Sequence, residues 1–485
     1  MVRHRTAIRA IPHYIFGLAS GLKSPGGRLM QHFLFRRVEL WLVCLLAIAL
    51  VLCGIALAVV LKDEVEARAT PYARPAYGRL GGAIYQVASI PDTLRQLTRD
   101  TEPLEASQYA RFNGRQGWGF TGAPPADPGY LLLSRIDGDL PGAVVELVSL
   151  SDFTTRHRWE LDPDALFADL GPDASLSDQP QLAKARFRPM HPLLTAGGQL
   201  VLHGQTSPIV ALDACSKVQW RTEKLAYHHS LNLDAEGNFW APAKMRSDKD
   251  KTNADGTHDA LANIRPDGGL LWSKTIADLL VENDMTYLIY HAYEKTADPL
   301  HLNDVQPVIT DGPYWKKGDL FISLRTPSMI LLYRPATGKV LWSKAGPWIE
   351  QHDVDVLDDH RISVFDNNVQ DRGAGGVIDG SSQVRIYDFA SGQVTTPLAE
   401  ASLKERILAV NNGLVDQTAT GLSVVEEDTS GRLLIFGTDG ALAAEFINGA
   451  ANGRVYRMGW SRYVDKATGD AALGVLAANR CTAAG

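Results

Sequence analysis

One repeating pattern, which starts near residue 128, constrains the fold of this chain more than any other feature. Each copy consists of a β-branched strand, a turn rich in Asp, Pro or Gly, and a second strand that often ends in tryptophan. The clearest copies end at Trp220, Trp272 and Trp342, and the weaker ones contain Val144, Val384 and Leu434. Alternating apolar positions and these turn residues are typical of β-hairpins. Six hairpins about 50–70 residues apart, with four strands in each repeat, predict an all-β fold, the six-bladed β-propeller. A solenoid would also repeat, but a closed ring protects its sheet edges better.

The N-terminal segment has the pattern of a membrane anchor. Residues 1–39 contain seven Lys or Arg and one acid, Glu39, whereas the 22 residues from Leu40 to Leu61 carry no charge. At about 1.5 Å per residue, such a helix spans a bilayer core of about 30 Å, and the basic flank predicts that its amino end lies inside. A cleaved signal peptide is the alternative, but its apolar core is shorter, about 7–15 residues. We therefore expect a single-pass inner-membrane protein whose C-terminal domain lies in a bacterial periplasm.

These patterns divide the chain into five expected segments. They are a cytoplasmic basic tail (1–39), a transmembrane helix (40–61), a linker that packs on the domain (62–127), the six-bladed propeller with the catalytic site (128–475) and a C-terminal tail (476–485).

Charge and cysteine content exclude some functions. A net charge of −7 argues against binding to nucleic acid, which needs a basic surface. Cys44 and Cys53 lie in the apolar run, so Cys215 and Cys481 are the remaining pair, and their spacing is not that of metal ligands. In an oxidising compartment they can form a disulfide. Because strand pairing alone can close a propeller, the sequence leaves this pairing open.

Three histidines recur at one place in the repeat. His229, His301 and His352 each begin a His-x-x-[Asn/Asp]-[Leu/Val] motif, and His229 and His352 follow a hairpin tryptophan by nine and ten residues. In a propeller, the outer strand of one blade leads back to the inner strand of the next blade. We therefore expect the three imidazoles, from consecutive blades, to converge at one mouth of the central channel. Arg325 ends the strand after the His301 motif and can reach the same funnel.

Other residues near these motifs have less certain roles. His228 is adjacent to His229 but out of register, so it ranks second, and His191 is a candidate for a degenerate fourth copy. The residues three positions after the histidines could cap turns or orient the imidazole rings, and the sequence does not separate these roles. They are Asn232, Asp304 and Asp355.

Three kinds of site are compatible with this cluster. Three histidines suit a metal with an open fourth position, but Arg325 nearby would disfavour a cation. A pure binding scaffold is the second possibility. In the third, a neutral imidazole attacks an anionic group, an arginine fork neutralises its oxygens, and a second imidazole protonates the leaving oxygen.

The motifs resemble those of the bacterial arylsulfate sulfotransferase family over roughly residues 190–440. The resemblance is carried by Tyr227-His-His-Ser, His301-Leu-Asn, Ile322-Ser-Leu-Arg325, Gln351-His-Asp353 and Phe365-Asp-Asn-Asn. It implies a six-bladed propeller that moves a sulfuryl group from a phenolic sulfate ester to a phenolic acceptor without a nucleotide donor or a cofactor. It also implies a sulfated histidine, with His352 as the nucleophile and His229, His301 and Arg325 in support. Well-known members have an N-terminal β-sandwich and a close cysteine pair, and this sequence has neither.

A second resemblance gives an alternative function. Turns such as Thr337-Gly-Lys-Val-Leu-Trp342 resemble the tryptophan-docking turns of quinoprotein and outer-membrane-assembly propellers. Those propellers usually have eight blades, whereas six repeats are counted here. The alternative is a membrane-tethered scaffold or a quinoprotein-like binding protein without sulfotransferase activity.

Overall fold

The computed structural model describes residues 39–69, 76–88, 90–91, 110–125, 127–140, 142–168, 170, 187–222, 224–246, 257–289, 298–371, 376–479 and 481. The helices of this part are α1 (Leu40–Ala69), α2 (Gly78–Ala88), α3 (Pro163–Leu166), α4 (Ile276–Glu282), α5 (Ala399–Glu405) and α6 (Lys466–Ala478).

Strands make up most of the described chain. They are β1 (Gly117–Phe120), β2 (Tyr130–Asp137), β3 (Gly142–Ser149), β4 (Thr155–Leu161), β5 (Met190–Leu194), β6 (Leu200–His203), β7 (Val210–Leu212), β8 (Val218–Arg221), β9 (Ala226–Tyr227), β10 (Asn232–Leu233), β11 (Phe239–Arg246), β12 (Thr257–Ile264), β13 (Leu270–Thr275), β14 (Leu302–Pro307), β15 (Leu320–Leu324), β16 (Met329–Arg334), β17 (Lys339–Ala345), β18 (His352–Val356), β19 (Arg361–Asp366), β20 (Val369–Asp371), β21 (Gly376–Ile378), β22 (Gln383–Asp388), β23 (Val394–Thr395), β24 (Leu414–Gln417), β25 (Ser423–Glu427), β26 (Arg432–Phe436), β27 (Leu442–Ile447) and β28 (Arg462–Val464).

The helices α1 and α2 form a compact unit separate from the rest of the chain. Within α1, residues Leu40–Val65 have a mean hydropathy of 3.1 and are long and apolar enough to cross a membrane. A membrane span and a signal sequence both fit this finding. The helix runs past Leu61, the expected end of the span. In the segment expected to be a linker, the backbone N–H of Ala76 donates to Asp63 Oδ2 at 2.8 Å, just before α2 begins.

The second unit is a six-bladed β-propeller, as the repeats predict. Five blades run from the inner to the outer strand in chain order, and four of them are blade 2 (β5–β8), blade 3 (β10–β13, with β9 beside β11), blade 4 (β14–β17) and blade 5 (β18, β19, β22, β23). Blade 6 contains β24–β27, and blade 1 contains β2–β4 with β28 on the inside. The hairpin tryptophans lie on outer strands, where Trp342 packs against Phe389 of the next blade at 4.7 Å between ring centroids.

The two ends of the domain close the ring. The C-terminal strand β28 pairs antiparallel with β2, so that Tyr130 lies opposite Val464. A separate apolar cluster fills each blade interface, including the one between blades 6 and 1, where Leu133, Leu433 and Met458 meet. Because every interface buries its own core, removing one blade would expose the cores of two neighbours.

Two features add to the expected ring. The strand β1, from the segment expected to be a linker, pairs with β27 and extends blade 6 to five strands. Two of its four residues are glycines, which weaken its strand signal in the sequence. Cys215, in the turn after β7, forms a disulfide with Cys481 beyond α6, with 5.3 Å between Cα atoms. The pairing that the sequence left open therefore joins the C-terminal tail to blade 2.

Candidate functional site

The three recurring histidines converge at one mouth of the channel, as the repeat predicts. The centroid of the His229 ring lies 5.3 Å from that of His301 and 5.8 Å from that of His352, and those of His301 and His352 are 6.5 Å apart. One ring nitrogen from each histidine lies within 4.8 Å of the others. Consecutive blades 3, 4 and 5 contribute these rings, each at the start of an inner strand.

An unusual backbone conformation marks the start of the inner strands. His191, His229, His301 and Trp460 all have positive φ values, between 41° and 62°. Such a conformation is uncommon and costs roughly 1–3 kcal/mol for a residue other than glycine, so the surrounding structure must hold it in place. The strand register then shifts after Met190, Leu302 and His352, which marks a bulge. The bend directs the first residue of the strand toward the mouth of the channel.

His352 is buried, and the amide of Asn367 holds its Nδ1. Its Nδ1 lies 2.7 Å from Oδ1 of Asn367, whose Nδ2 donates to the carbonyls of Ala409 and Asn412. Because these two bonds fix the amide, its oxygen must accept from His352 Nδ1–H. Nε2 therefore carries the lone pair. Burial, and then the nearby charge of Arg325, hold the pKa of His352 well below its ordinary value, so the ring is neutral at neutral pH.

A quarter of the His301 side chain is exposed. Its Nδ1 lies 2.7 Å from Oδ2 of Asp298, a carboxylate three residues earlier. The hydroxyl of Thr326 donates to the carbonyl of Asp298 and holds this turn against the strand end of blade 4. A carboxylate partner fixes the tautomer and the orientation of the ring.

His228 is not in register with the other histidines, but it supports His229 from behind. The two Nδ1 atoms are 2.7 Å apart, and Nε2 of His228 faces Oδ1 of Asp259 at 3.4 Å. Asp259 also accepts from Lys244 Nζ at 2.6 Å and from the backbone N–H of Leu302 at 2.8 Å. Burial lowers the pKa of both histidines. His228 therefore orients the His229 ring from behind, with the carboxylate of Asp259 on its far side.

Arg325 joins the site through an ion pair that the sequence did not predict. Its Nη2 donates to Oε2 of Glu350, two residues before His352, and also lies 3.4 Å from Oδ1 of Asn411. The backbone N–H of Arg325 donates to the carbonyl of His301 at 3.0 Å, which ties the arginine to the histidine of its own blade. Arg325 therefore reaches the funnel as expected, with a carboxylate that reduces its net charge.

Trp460 packs against the histidine cluster, and the sequence did not indicate it. Its ring is fully buried and lies 5.7–5.9 Å from the rings of His191, His229 and His352. It occupies, just before β28, the place that a histidine takes in blades 2, 3 and 4. Trp460 could have been found from the sequence by extending the repeat pattern to β28, the strand that closes the ring. His191, the candidate fourth copy, packs against Trp460 and is not one of the three rings that form the cluster.

The residues three positions after the histidines have neither of the two roles that the sequence left open. Asn232 donates to the carbonyl of Val305 at 3.1 Å, and Asp304 accepts from the backbone N–H of Val354 at 2.7 Å. They connect inner strands of neighbouring blades. Asp355 lies among the channel carboxylates, and burial raises its pKa well above the ordinary value. Burial also raises the pKa of Asp304 to about 6.

Known structures resemble the fold only distantly. They include a protein of unknown function from Bacteroides caccae (8% identity, TM-score 0.42, covering 70% of this chain and 99% of that chain) and virginiamycin B lyase from Staphylococcus aureus (9%, 0.34, 68% and 88%). Hydrazine synthase from Kuenenia stuttgartiensis is a third (12%, 0.35, 66% and 79%). Similarity this low carries no argument about function. No curated protein matches the chain.

A family model described as arylsulfotransferase (ASST) matches residues 193–449, more than half of the chain. The matched range contains His229, His301, Arg325 and His352. The match supports an arylsulfotransferase-type activity in general terms, and the chain belongs to the arylsulfotransferase family.

Proposed function

We propose that the propeller transfers a sulfuryl group from a phenolic sulfate ester to a phenolic acceptor through a sulfated His352, without a nucleotide donor. One observation carries the choice of nucleophile. Asn367, itself fixed by two backbone carbonyls, holds the proton of His352 on Nδ1 and leaves a lone pair on Nε2. A buried, neutral imidazole with a fixed lone pair is a ready nucleophile.

The first half-reaction forms one bond and breaks one. The Nε2 lone pair of His352 attacks the sulfur, and the bond between sulfur and the aryl oxygen breaks, so the phenolate leaves with that electron pair. Arg325 would turn from Glu350 to the sulfuryl oxygens, whose negative charge its planar fork matches. The negative charge of the bound sulfuryl group would favour the protonated form of His229 despite its burial, and His229 or His301 would give a proton to the phenolate.

The second half-reaction reverses the first. The oxygen of the acceptor phenol attacks the sulfur, the bond between nitrogen and sulfur breaks, and its electron pair returns to His352 Nε2. The phenolic proton goes back to the imidazole that donated earlier, so the enzyme ends in its starting state. His228 and Asp259 behind His229 would stabilise that ring while it holds the proton.

We also propose that α1 anchors the domain to the inner membrane with the propeller in the periplasm. The apolar length of Leu40–Val65 and the basic residues before it support this orientation. The Cys215–Cys481 disulfide suits an oxidising compartment. A reporter active only in the periplasm, fused after Asp63, should give signal. A cytoplasmic reporter that works at the same position would overturn both the orientation and the location.

The activity is tested by giving the purified full-length protein a chromogenic aryl sulfate with and without phenolic acceptors. We expect release of the coloured phenol to depend on the acceptor, and the sulfated acceptor to appear by mass spectrometry. The outcome that contradicts the proposal is no turnover across a range of donors and phenols, which would favour the binding scaffold.

A further inference from the structure

We propose that His229, His301 and His352 also bind one divalent transition-metal ion of the zinc type, and that this ion and the sulfuryl donor exclude each other. The binding part stands on the geometry of the cluster alone. The exclusion part rests on the proposed function. The starting observation is that one ring nitrogen from each histidine lies within 4.8 Å of the other two.

The partners of the Nδ1 atoms leave the Nε2 atoms to face the cluster. Asn367 and Asp298 accept from His352 and His301, so both rings carry their proton on Nδ1. Asp259 favours a proton on Nε2 of His228, whose Nδ1 then accepts from His229. Each of the three rings therefore presents an unprotonated Nε2. Three imidazole lone pairs directed at one space are the donor set of a three-histidine zinc site with an open fourth position.

The supporting contacts are those that a metal site needs. Histidine ligands usually donate their second nitrogen to a carboxylate, an amide or another acceptor, which fixes the ring and raises its basicity. Asp298 and Asn367 do so directly, and His228 does so for His229 with Asp259 behind it. Turn caps or surface pairs would not produce this arrangement at all three rings. The described residues offer a second cluster, Asp358, Asp359 and His360, but it lies on the exposed surface.

The spacing requires a small movement. Zinc–nitrogen bonds of about 2.0–2.1 Å bring tetrahedral ligand atoms to roughly 3.4 Å from one another, so nitrogens up to 4.8 Å apart must close by up to roughly 1.4 Å. His301 is the ring that can move, because a quarter of its side chain is exposed while His352 is buried. The exposed side of His301 also leaves the fourth position open to the mouth of the channel.

The charge around the cluster permits a cation. Arg325 alone would oppose one, as the sequence analysis expected, but it is paired with Glu350. Asp298 and Asp259 add two carboxylates behind the rings, and Lys244 offsets one of them. When Arg325 turns to a sulfuryl group, the same cluster favours an anion. A metal on the Nε2 atoms occupies the lone pair with which His352 would attack, so the two ligands compete.

The test uses metal-free full-length protein and Co²⁺, whose absorption spectrum reports tetrahedral nitrogen coordination. We expect one equivalent of Co²⁺ to give an intense visible band that Zn²⁺ abolishes by displacement. His301→Ala should remove the band, and Asp298→Asn should weaken Co²⁺ binding by roughly 10–100-fold because it removes a partner of a ligand. His360→Ala is the matched control and should bind as the wild type does.

Two outcomes would overturn the proposed site. One is wild-type protein without a stoichiometric tetrahedral band, and the other is a band that His360→Ala removes while His301→Ala, still folded by circular dichroism, keeps it. If the protein also turns over aryl sulfate, Zn²⁺ should inhibit in competition with the donor, and inhibition that donor does not relieve would overturn the exclusion. Because the spectrum needs no turnover, a failed metal site and a failed sulfotransferase give different results.

Discussion

At the residue scale, the second contact of each imidazole decides its chemistry. Asn367 holds the proton of His352 on Nδ1, Asp298 fixes the ring of His301, and His228 connects His229 to a carboxylate. The sequence indicated the three rings because their spacing follows the repeat. It did not indicate Asp298 or Glu350, because both precede their histidine in loops between blades, where spacing carries no register. Asn367 was part of a recognised motif, but its role depends on a contact across the blade.

Removing any supporting group should slow transfer strongly. We expect Arg325→Lys, His229→Ala and His301→Ala each to lower kcat/KM by roughly 10²-fold, the usual size for a lost oxyanion or acid–base partner. Lysine keeps the charge of Arg325 but not its two-pronged geometry. Steady-state kinetics with an aryl sulfate measures the loss. The control is Arg361→Lys, which changes an exposed arginine paired with Asp358 and should leave the rate unchanged. Wild-type rates in Arg325→Lys would remove the arginine from the mechanism.

The pH profile should report the neutral form of His352. Burial and Arg325 hold its pKa well below the ordinary value, so the ring stays neutral, and nucleophilic, into mildly acidic solution. The acid limb of the rate of enzyme sulfation should therefore lie below about pH 6.5, the ordinary histidine value. Stopped-flow release of the first phenol across pH measures it. A limb centred above that value would contradict the assignment.

At the element scale, bulges in two inner strands change which way the residues at the third position face. In a regular strand, residues three apart face opposite sides of the sheet. The bulges after Leu302 and His352 add one residue, so the histidine and the residue three positions later both lie on the inner side of the ring. Alternation in sequence does not reveal a bulge. It did predict the hairpins and the outer-strand tryptophans, because those follow regular pairing.

Buried carboxyl groups on the inner strands destabilise the folded state when they ionise, so stability should depend on pH. Burial, with Asp416 and Asp304 nearby, raises the folded-state pKa of Asp355 well above the unfolded value. Below the pKa of Asp355 in the unfolded state, about 3.9, its carboxyl is protonated in both states and does not destabilise the fold. This stability is lost as the pH rises through the pKa of the folded state. Asp355→Asn removes the charge without changing the shape of the side chain. It should raise Tm by about 1–3 °C at pH 8 and by clearly less at pH 4.5.

Differential scanning calorimetry at the two pH values tests this prediction, with Asp439→Asn, an exposed turn residue, as the control. A Tm gain for Asp355→Asn that is equal at both pH values would mean that the substitution acts through packing rather than through charge.

At the scale of the whole molecule, closure by β28 makes the propeller one cooperative unit. Truncation after Gly459 removes β28, α6 and Cys481, which opens the ring and exposes the edge of β2 in blade 1. We expect this variant to lose the cooperative melting transition. Truncation after Asn479 removes the last six residues, among them Cys481, while keeping β28 and α6. It should lower stability by about 2–5 kcal/mol through the lost disulfide while keeping cooperative melting. Thermal unfolding followed by tryptophan fluorescence compares the two truncated variants with the full-length protein. Cooperative melting at the full-length temperature in the shorter variant would argue against ring closure as the source of stability.

Mass spectrometry of the intact protein tests most directly whether a histidine becomes sulfated during the reaction. Donor without acceptor should add the mass of one SO₃ group, and peptide mapping should locate the adduct, which acid removes, on His352. A phenolic acceptor should discharge it. His352→Ala, folded by circular dichroism, should neither form the adduct nor turn over the donor. An adduct on another residue, or transfer at near wild-type rate by His352→Ala, would contradict the account.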